Sequence, residues 1–156
     1  MSQLLRDLLD REAVVDAVTL LFLATDRKDW NAVRDRFTDT VHFDMTSVAG
    51  GDAMALPAEA IVSGWAVGLE PLVAVHHQAG NFRVRIDGDG ADVFCYGVAW
   101  HYRPVASGRD TRAFIGSYDL HLVRAGADWK IDRFRFDCKF VEGNPDLEKE
   151  AARPIG

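Results

Sequence analysis

Basic residues are in deficit, cysteine is scarce, and no stretch of the chain runs far without charge. Each shortage removes a class of function. Eighteen Lys and Arg stand against twenty-four Asp and Glu, for a formal charge of -6. That balance disfavours a surface built to hold a phosphate backbone, so nucleic acid is not an expected partner. The two cysteines, Cys95 and Cys138, lie far apart with no CxxC spacing; a disulfide could form if they met but nothing requires one, and inert reduced thiols are expected. No segment approaches the ~20 apolar residues needed to span a bilayer, and MSQLLRDLLDREAV carries charge where a signal peptide needs an apolar run. A cytoplasmic protein with no membrane partner is the expectation. Phosphate-cradling loops are missing too. GDG at 88–90 sits between two strand patterns rather than at a strand-to-helix junction, and no GxxxxGKS or GxxxxGKT run occurs. The doublet His76–His77 lacks the HExxH context of a metal site, so no metal and no cofactor is expected.

What remains is the material of a folded domain. The chain has 156 residues, 48% of them hydrophobic and 27% charged. That is enough to bury one core and too little for two ordinary domains. Leu5, Leu8, Leu9, Val15, Val18 and Phe22 recur at helical spacing over residues 4–26, with charges on the other faces. Asp29 is placed to cap a short second helix through Trp30 and Val33. VHFDM at 41–45 reads as a strand, and Pro57 can open a helix through AEAIVSGWAVGLEPL. From residue 76 the period changes from helical to alternating. NFRVRI, the turn DGDG, ADVFCYGVAWHYRP, the turn RPVASGRD, RAFIGSYDLHLVR, the turn AGAD and WKIDRFRFDC follow in order. They predict a curved, mainly antiparallel sheet. Helices first and strands afterwards make an α+β domain with its helices on one sheet face. Residues 1–142 form that single domain, and VEGNPDLEKEAARPIG supplies a polar, loosely ordered tail over 143–156.

The strand at 91–103 has two apolar sides. Phe94, Tyr96, Val98, Trp100 and Tyr102 share one parity; Val93, Cys95, Ala99 and His101 share the other. A sheet with one solvated face would not be built that way, so a homodimer or homotrimer packed through the second face is expected. The histidines divide by the same rule. Adjacent strand residues point to opposite faces, so His76 and His77 cannot serve one site equally. A neutral imidazole is a suitable proton acceptor near pH 7, and a carboxylate can hold its other nitrogen in the required tautomer. Asp26, one helical turn beyond Phe22, is a carboxylate on nearly the same helix face. Tyr96, Tyr118 and Trp100 can orient a cyclic ligand or fill the core or an interface. Arg124, Arg133 and Arg135 can hold an anion or pair with nearby acids such as Asp119 and Asp137.

ATDRKDW at 24–30 and HHQAGN at 76–81, in a layout of helix, short strand, helix and long strands over roughly residues 5 to 142, resemble the SnoaL-like branch of the NTF2-like superfamily. Within it, these segments are similar to those of the scytalone dehydratase and hexachlorocyclohexane dehydrochlorinase group. The resemblance implies an NTF2-like (cystatin-like) cone, in which N-terminal helices pack in the concave face of a curved mixed sheet around an apolar pocket. It also implies a lyase without cofactor, acting on a small, mostly apolar cyclic ligand, with His77 as base and Asp26 as its orienting carboxylate. His101 resembles the second pocket histidine that contacts a departing oxygen, while His76 and His121 are expected to be structural or to lie at an interface. Phe22, Tyr96, Trp100 and Tyr118 are the candidate ligand contacts. The tyrosine that this group often carries on its first helix has no counterpart in VVDAVTLLFLATD, where Phe22 offers shape without a hydroxyl. The same fold hosts proton-transfer isomerases and noncatalytic binding proteins, so fold alone selects no reaction.

Overall fold

The computed structural model describes residues 1–155. Helix α1 (Gln3–Asp26) comes first, capped by the Ser2 hydroxyl, which accepts the Leu5 N–H. Helix α2 (Trp30–Asp35) follows, and Asp29 caps it as its position predicts, accepting the Ala32 N–H at 3.1 Å. Strand β1 (Phe37–Asp44), the single-turn α3 (Thr46–Ala49) and strand β2 (Met54–Pro57) lead into α4 (Ala58–Leu69), with Pro57 immediately before its first residue. Four long strands complete the domain: β3 (Ala74–Asp87), β4 (Gly90–Tyr102), β5 (Thr111–Ala125) and β6 (Asp128–Gly143). All six strands join one sheet in the order β2-β1-β6-β5-β4-β3. Only β1 and β6 run parallel. This is the expected α+β architecture, a curved mixed sheet carrying its helices on one face.

The buried stripe of α1 is Val14, Val18, Leu21, Phe22 and Thr25, at steps of three and four. Leu5, Leu8 and Leu9 continue the apolar pattern towards the N-terminus, yet each is about half exposed; periodicity reveals that a helix is amphipathic, not how much of it reaches the sheet. The stripe meets Phe37, Val93, Cys95, Leu120, Leu122, Trp129, Ile131 and Phe134, the inner face of the strands. Two irregularities set which residues those are. At Asn81, with φ +56°, β3 shifts register against β4, so the inward residues change from Val75, His77 and Ala79 to Phe82, Val84 and Ile86. In β6 a register shift against β5 flips parity between Ile131 and Phe134. A one-residue bulge moves every later side chain to the other face, which alternation read from sequence cannot foresee.

On β4 the inward residues are Val93, Cys95, Gly97 and Ala99, all buried, so the bulky aromatic parity faces outward. Small residues line this inner face because rings from neighbouring strands occupy it. A Cβ on Gly97 would stand 2.1 Å from Tyr118 Cε2, and one on Gly116 would stand 2.7 Å from Phe136 Cζ. The paired glycines, opposite each other across β4 and β5, let those rings lie down over the backbone.

The C-terminal segment departs from expectation. Rather than a loose extension, it folds back over the β3–β5 end of the sheet. Leu147 is fully buried against Leu72, Val75 and Val105, Asn144 Nδ2 donates to the Arg109 carbonyl at 3.0 Å, and Arg103 Nη1 donates to the carbonyls of Leu147 and Glu150 at 2.7 and 2.8 Å. Composition showed the charges of this tail but not the single leucine that anchors it.

The ring-over-glycine packing is testable. Gly97→Ala must displace Tyr118 and is expected to lower stability by about 1–3 kcal/mol, the usual range for overpacking a filled core. Gly64→Ala in α4, whose new Cβ would meet nothing within 4 Å, is expected to hold or raise it. Urea denaturation of both variants measures the contrast.

Candidate functional site

The C-terminal end of α1 abuts β3, the edge strand of the sheet. Asp26 is the last residue of α1, and both its oxygens accept the backbone N–H of His77, at 3.1 and 3.0 Å. The same carboxylate lies 2.6 Å from His77 Nδ1. A carboxylate accepts, so the proton of this contact sits on Nδ1 and a neutral ring presents its lone pair at Nε2. Phe22, one turn earlier on α1, stacks on the imidazole with centroids 5.2 Å apart and planes 13° from parallel. Position, tautomer and plane of His77 are thus set by two residues of one helix.

The wall containing His77 belongs to a cavity of about 420 Å³. Phe22, Phe43, Trp65, Phe114, Phe134 and Phe136 give it an aromatic lining beside smaller aliphatic residues, and Tyr118 and the polar group of His77, His101, Arg112 and Glu148 also line it. In the β3–β4 register His77 faces Ala99 and Val75 faces His101, which makes the two histidines diagonal neighbours on the inner face.

His101 is bonded in the opposite sense. Arg112, its cross-strand partner on β5, places Nη2 3.0 Å from His101 Nδ1. A guanidinium can only donate, so Nδ1 carries the lone pair and Nε2 carries the hydrogen. Burial first, then the neighbouring charge of Arg112, push the His101 pKa down to about 4; the ring stays neutral and offers the cavity an N–H. Arg112 is in turn held by Glu148, donating through Nη1 to Oε2 at 2.8 Å and through Nη2 to Oε1. Burial pushes the Glu148 carboxyl up, but the hydrogen bond and the charge of Arg112 act together with smaller contributions against it, and the net shift is downward. Tyr118 is buried, and that burial raises its pKa, so its hydroxyl remains protonated as a potential donor.

The predicted site residues thus divide. Asp26 and His77 meet, and Phe22, His101 and Tyr118 join them at one cavity. Tyr96 and Trp100 do not. They belong to the outward parity of β4 and stand 45% and 39% exposed on the other side of the sheet, where Lys139 lies over the Tyr96 ring and His76 lies beside Trp100. His121 bonds Asp132 at 2.6 Å, away from the cavity lining. Of the arginines weighed as anion binders, Arg124 pairs with Asp10 and Asp89, Arg133 with Asp92, and Arg135 with Asp137. Arg112 and Glu148 were missed. The signal for Arg112 was its shared parity with Phe114 and Tyr118, since an arginine facing inward demands an acid; nothing in the tail marked Glu148 as that acid. Among the described residues no cluster of three His, Cys, Asp or Glu side chains is arranged to hold a metal, and no helix is long and apolar enough to cross a membrane.

A family model described as a SnoaL-like domain matches residues 6–135. Among solved structures, the Kfla4162 protein of Kribbella flavida superposes with a TM-score of 0.84 at 24% identity, over 90% of this chain and 97% of that one. A Novosphingobium aromaticivorans protein, provisionally named a scytalone dehydratase, gives 0.76 at 16%, over 96% and 95%. The hexachlorocyclohexane dehydrochlorinase LinA-type3 of Novosphingobium barchaimii gives 0.71 at 13%, over 96% and 99%. At such identities these likenesses speak for the fold. No curated protein matches the chain in sequence.

The depressed His101 pKa has a consequence for stability. The unfolded ring, with its ordinary value of 6.5, takes up a proton that the folded ring refuses until about pH 4. Stability therefore falls as pH drops through this window, by roughly 2–3 kcal/mol from this group. His101→Gln, whose side-chain oxygen can still accept from Arg112, is expected to lose less on the same descent. Urea unfolding of both proteins at pH 7 and pH 4.5 gives the comparison.

Proposed function

The chain belongs to the SnoaL-like domain family, and from that premise we propose that it is a cofactor-independent lyase, eliminating water or another small leaving group from a mostly apolar cyclic substrate. The observation that carries this reading is the 2.6 Å contact between Asp26 and His77 Nδ1 at the wall of an aromatic cavity. It leaves Nε2 as the basic nitrogen for a proton on carbon. Asp26 also stabilises the imidazolium that forms, because the charge appears beside a carboxylate in surroundings with little water.

In the proposed reaction His77 takes a proton from a carbon next to a carbonyl or similarly activated centre. The electron pair left behind becomes a carbon–carbon double bond as the leaving group departs from the adjacent carbon. The His101 N–H hydrogen-bonds the oxygen on which negative charge develops. A neutral imidazole is too weak an acid to surrender its proton outright, so its part is that of a donor. With hydroxide as leaving group, the proton held by His77 completes the departing water, and substrate becomes alkene plus water with the enzyme unchanged. Tyr118 and Phe22 border the ring of the substrate.

The opposed tautomers of His77 and His101 favour one further reading. A base beside a fixed donor is also the arrangement for forming an enolate and returning its proton to another carbon, which is isomerisation. The two reactions differ in mass balance.

Substrates for the assay are hydroxylated or halogenated cyclic compounds with an acidic adjacent C–H. For one that is turned over, His77→Ala is expected to lower kcat by about 10²–10⁴-fold, the range for loss of a general base. Asp26→Asn is expected to fall in the same direction, its amide having no charge to stabilise imidazolium. Mass spectrometry of the product separates elimination, which loses HX, from isomerisation, which loses nothing. Unchanged rates in both variants would exclude the dyad.

A further inference from the structure

The polar end of the cavity carries a cation whose charge is already paired. Arg112 exposes only 12% of its side chain, and its guanidinium is committed on two sides, to Glu148 and to His101. Its Nε is buried with no hydrogen-bond partner. A guanidinium in such surroundings is a strong attractant for an anionic oxygen wherever its pairing is opened. Glu148 stands in the way. Its carboxylate makes a forked contact with the guanidinium, lines the cavity itself, and comes from the folded-back segment 144–153, which the Leu147 anchor and the Arg103 contacts hold in place. With Asp26 behind His77 as a second carboxylate, an incoming anion meets more negative charge than positive charge.

We propose that Glu148 is the charge filter of this site: by closing Arg112 into an ion pair it reserves the polar end for a neutral acceptor oxygen at His101, so the cavity takes an uncharged cyclic ketone or alcohol in preference to a carboxylate on the same ring system. Two features of the geometry support this. Arg112 keeps the hydrogen of His101 on Nε2, so the group offered to a ligand is one neutral N–H, matched to one acceptor oxygen. The charge of Arg112 is meanwhile spent inside the protein. Opening the pair would convert the same wall into a carboxylate site, with Nη1 and the second hydrogen of Nη2 released while the first stays on His101. The proposal extends the substrate class given above and rests on the same cavity being the ligand site.

The test is a binding equilibrium, independent of turnover, using two bicyclic probes of similar size, 1-tetralone and 1-naphthoate, followed by calorimetric titration at pH 7.5. The wild-type protein is expected to bind the ketone more tightly than the carboxylate, on the order of tenfold or more, the worth of one charge-assisted contact. Glu148→Gln is expected to tighten naphthoate binding by about the same factor and so to raise the ratio of naphthoate to tetralone affinity. The double variant Arg112→Met, Glu148→Gln is expected to lose that gain, which a cavity merely loosened at the tail would retain. Equal or tighter binding of naphthoate by the wild type overturns the proposal, as does binding of neither probe. A Glu148→Gln protein with an unaltered unfolding midpoint and no gain for naphthoate overturns it as well. Should that variant unfold, the wild-type comparison decides alone. Selectivity as described in a protein that turns over no substrate would retire the lyase reading and keep this one.

Discussion

The carboxylate of Asp26 sits where a helix least favours one. At the last residue of α1 the free carbonyl ends of the helix present negative charge, and an acid there is disfavoured rather than supported. Largely shielded from water, it must be met by donors, and those donors come from β3: the His77 backbone N–H and the His77 ring. The arrangement works in both directions. As an edge strand, β3 has N–H groups that no neighbouring strand can satisfy, and Asp26 answers one of them at the residue whose side chain turns inward. One carboxylate therefore docks the helix on the sheet edge, closes an unpaired backbone group, and fixes the tautomer of the histidine between them. The same interaction that holds the layers together makes the ring basic towards the cavity.

From that junction the cavity follows by exclusion. The α1 stripe and the Phe37–Phe134–Trp65 cluster fill most of the space between helices and sheet. Around His77 the strand residues are small: Ala79 beside it on β3, with Cys95, Gly97 and Ala99 on β4. Tyr118 and Phe136 use part of the room the glycines leave, and what is not used is the cavity. A space lined in this way persists because its rings are pinned against one another, at 4.9 Å between Phe22 and Tyr118 and 4.8 Å between Tyr118 and Phe136, and so cannot collapse inward.

How much of this could be read from sequence depends on the range of the physics involved. The helices and strands were legible because caps, turns and alternation are local: Asp29 caps α2, and DGDG turns between β3 and β4. Asp26 and His77 were legible through resemblance, and strand parity alone separated His77 from His76. The face of β4 was not. A strand with aromatics on one side and small residues on the other invites the aromatics into the core, whereas here the core side is the small one because rings from β5 and β6 need it. Tyr96 and Trp100, candidate ligand contacts through their rings and the tyrosine hydroxyl, lie on the other parity and outside the pocket. Glu148 shows the other limit. Its partner Arg112 is thirty-six residues away, and the only local sign that the tail folds back is Leu147, one apolar residue amid charges.

The two cavity histidines show how one residue type acquires opposite properties from its partner alone. His77 is bonded through Nδ1 to an acceptor and His101 through Nδ1 to a donor, so one Nε2 offers a lone pair and the other a hydrogen. Neither assignment depends on the imidazoles themselves; exchanging the carboxylate and the guanidinium would exchange the roles. An arginine is the stricter of the two partners, because it never accepts and so allows His101 no other neutral form while the bond lasts. Its charge also opposes protonation of the ring beside it, in the same direction as burial. The requirement that comes with this choice is a counterion. A buried guanidinium left unpaired costs more than the hydrogen bond to His101 returns, so a chain that fixes its donor histidine with arginine must also bring an acid to that arginine. Here the acid arrives on the folded-back C-terminal segment, and for that reason ordering of the tail and the tautomer of His101 are coupled.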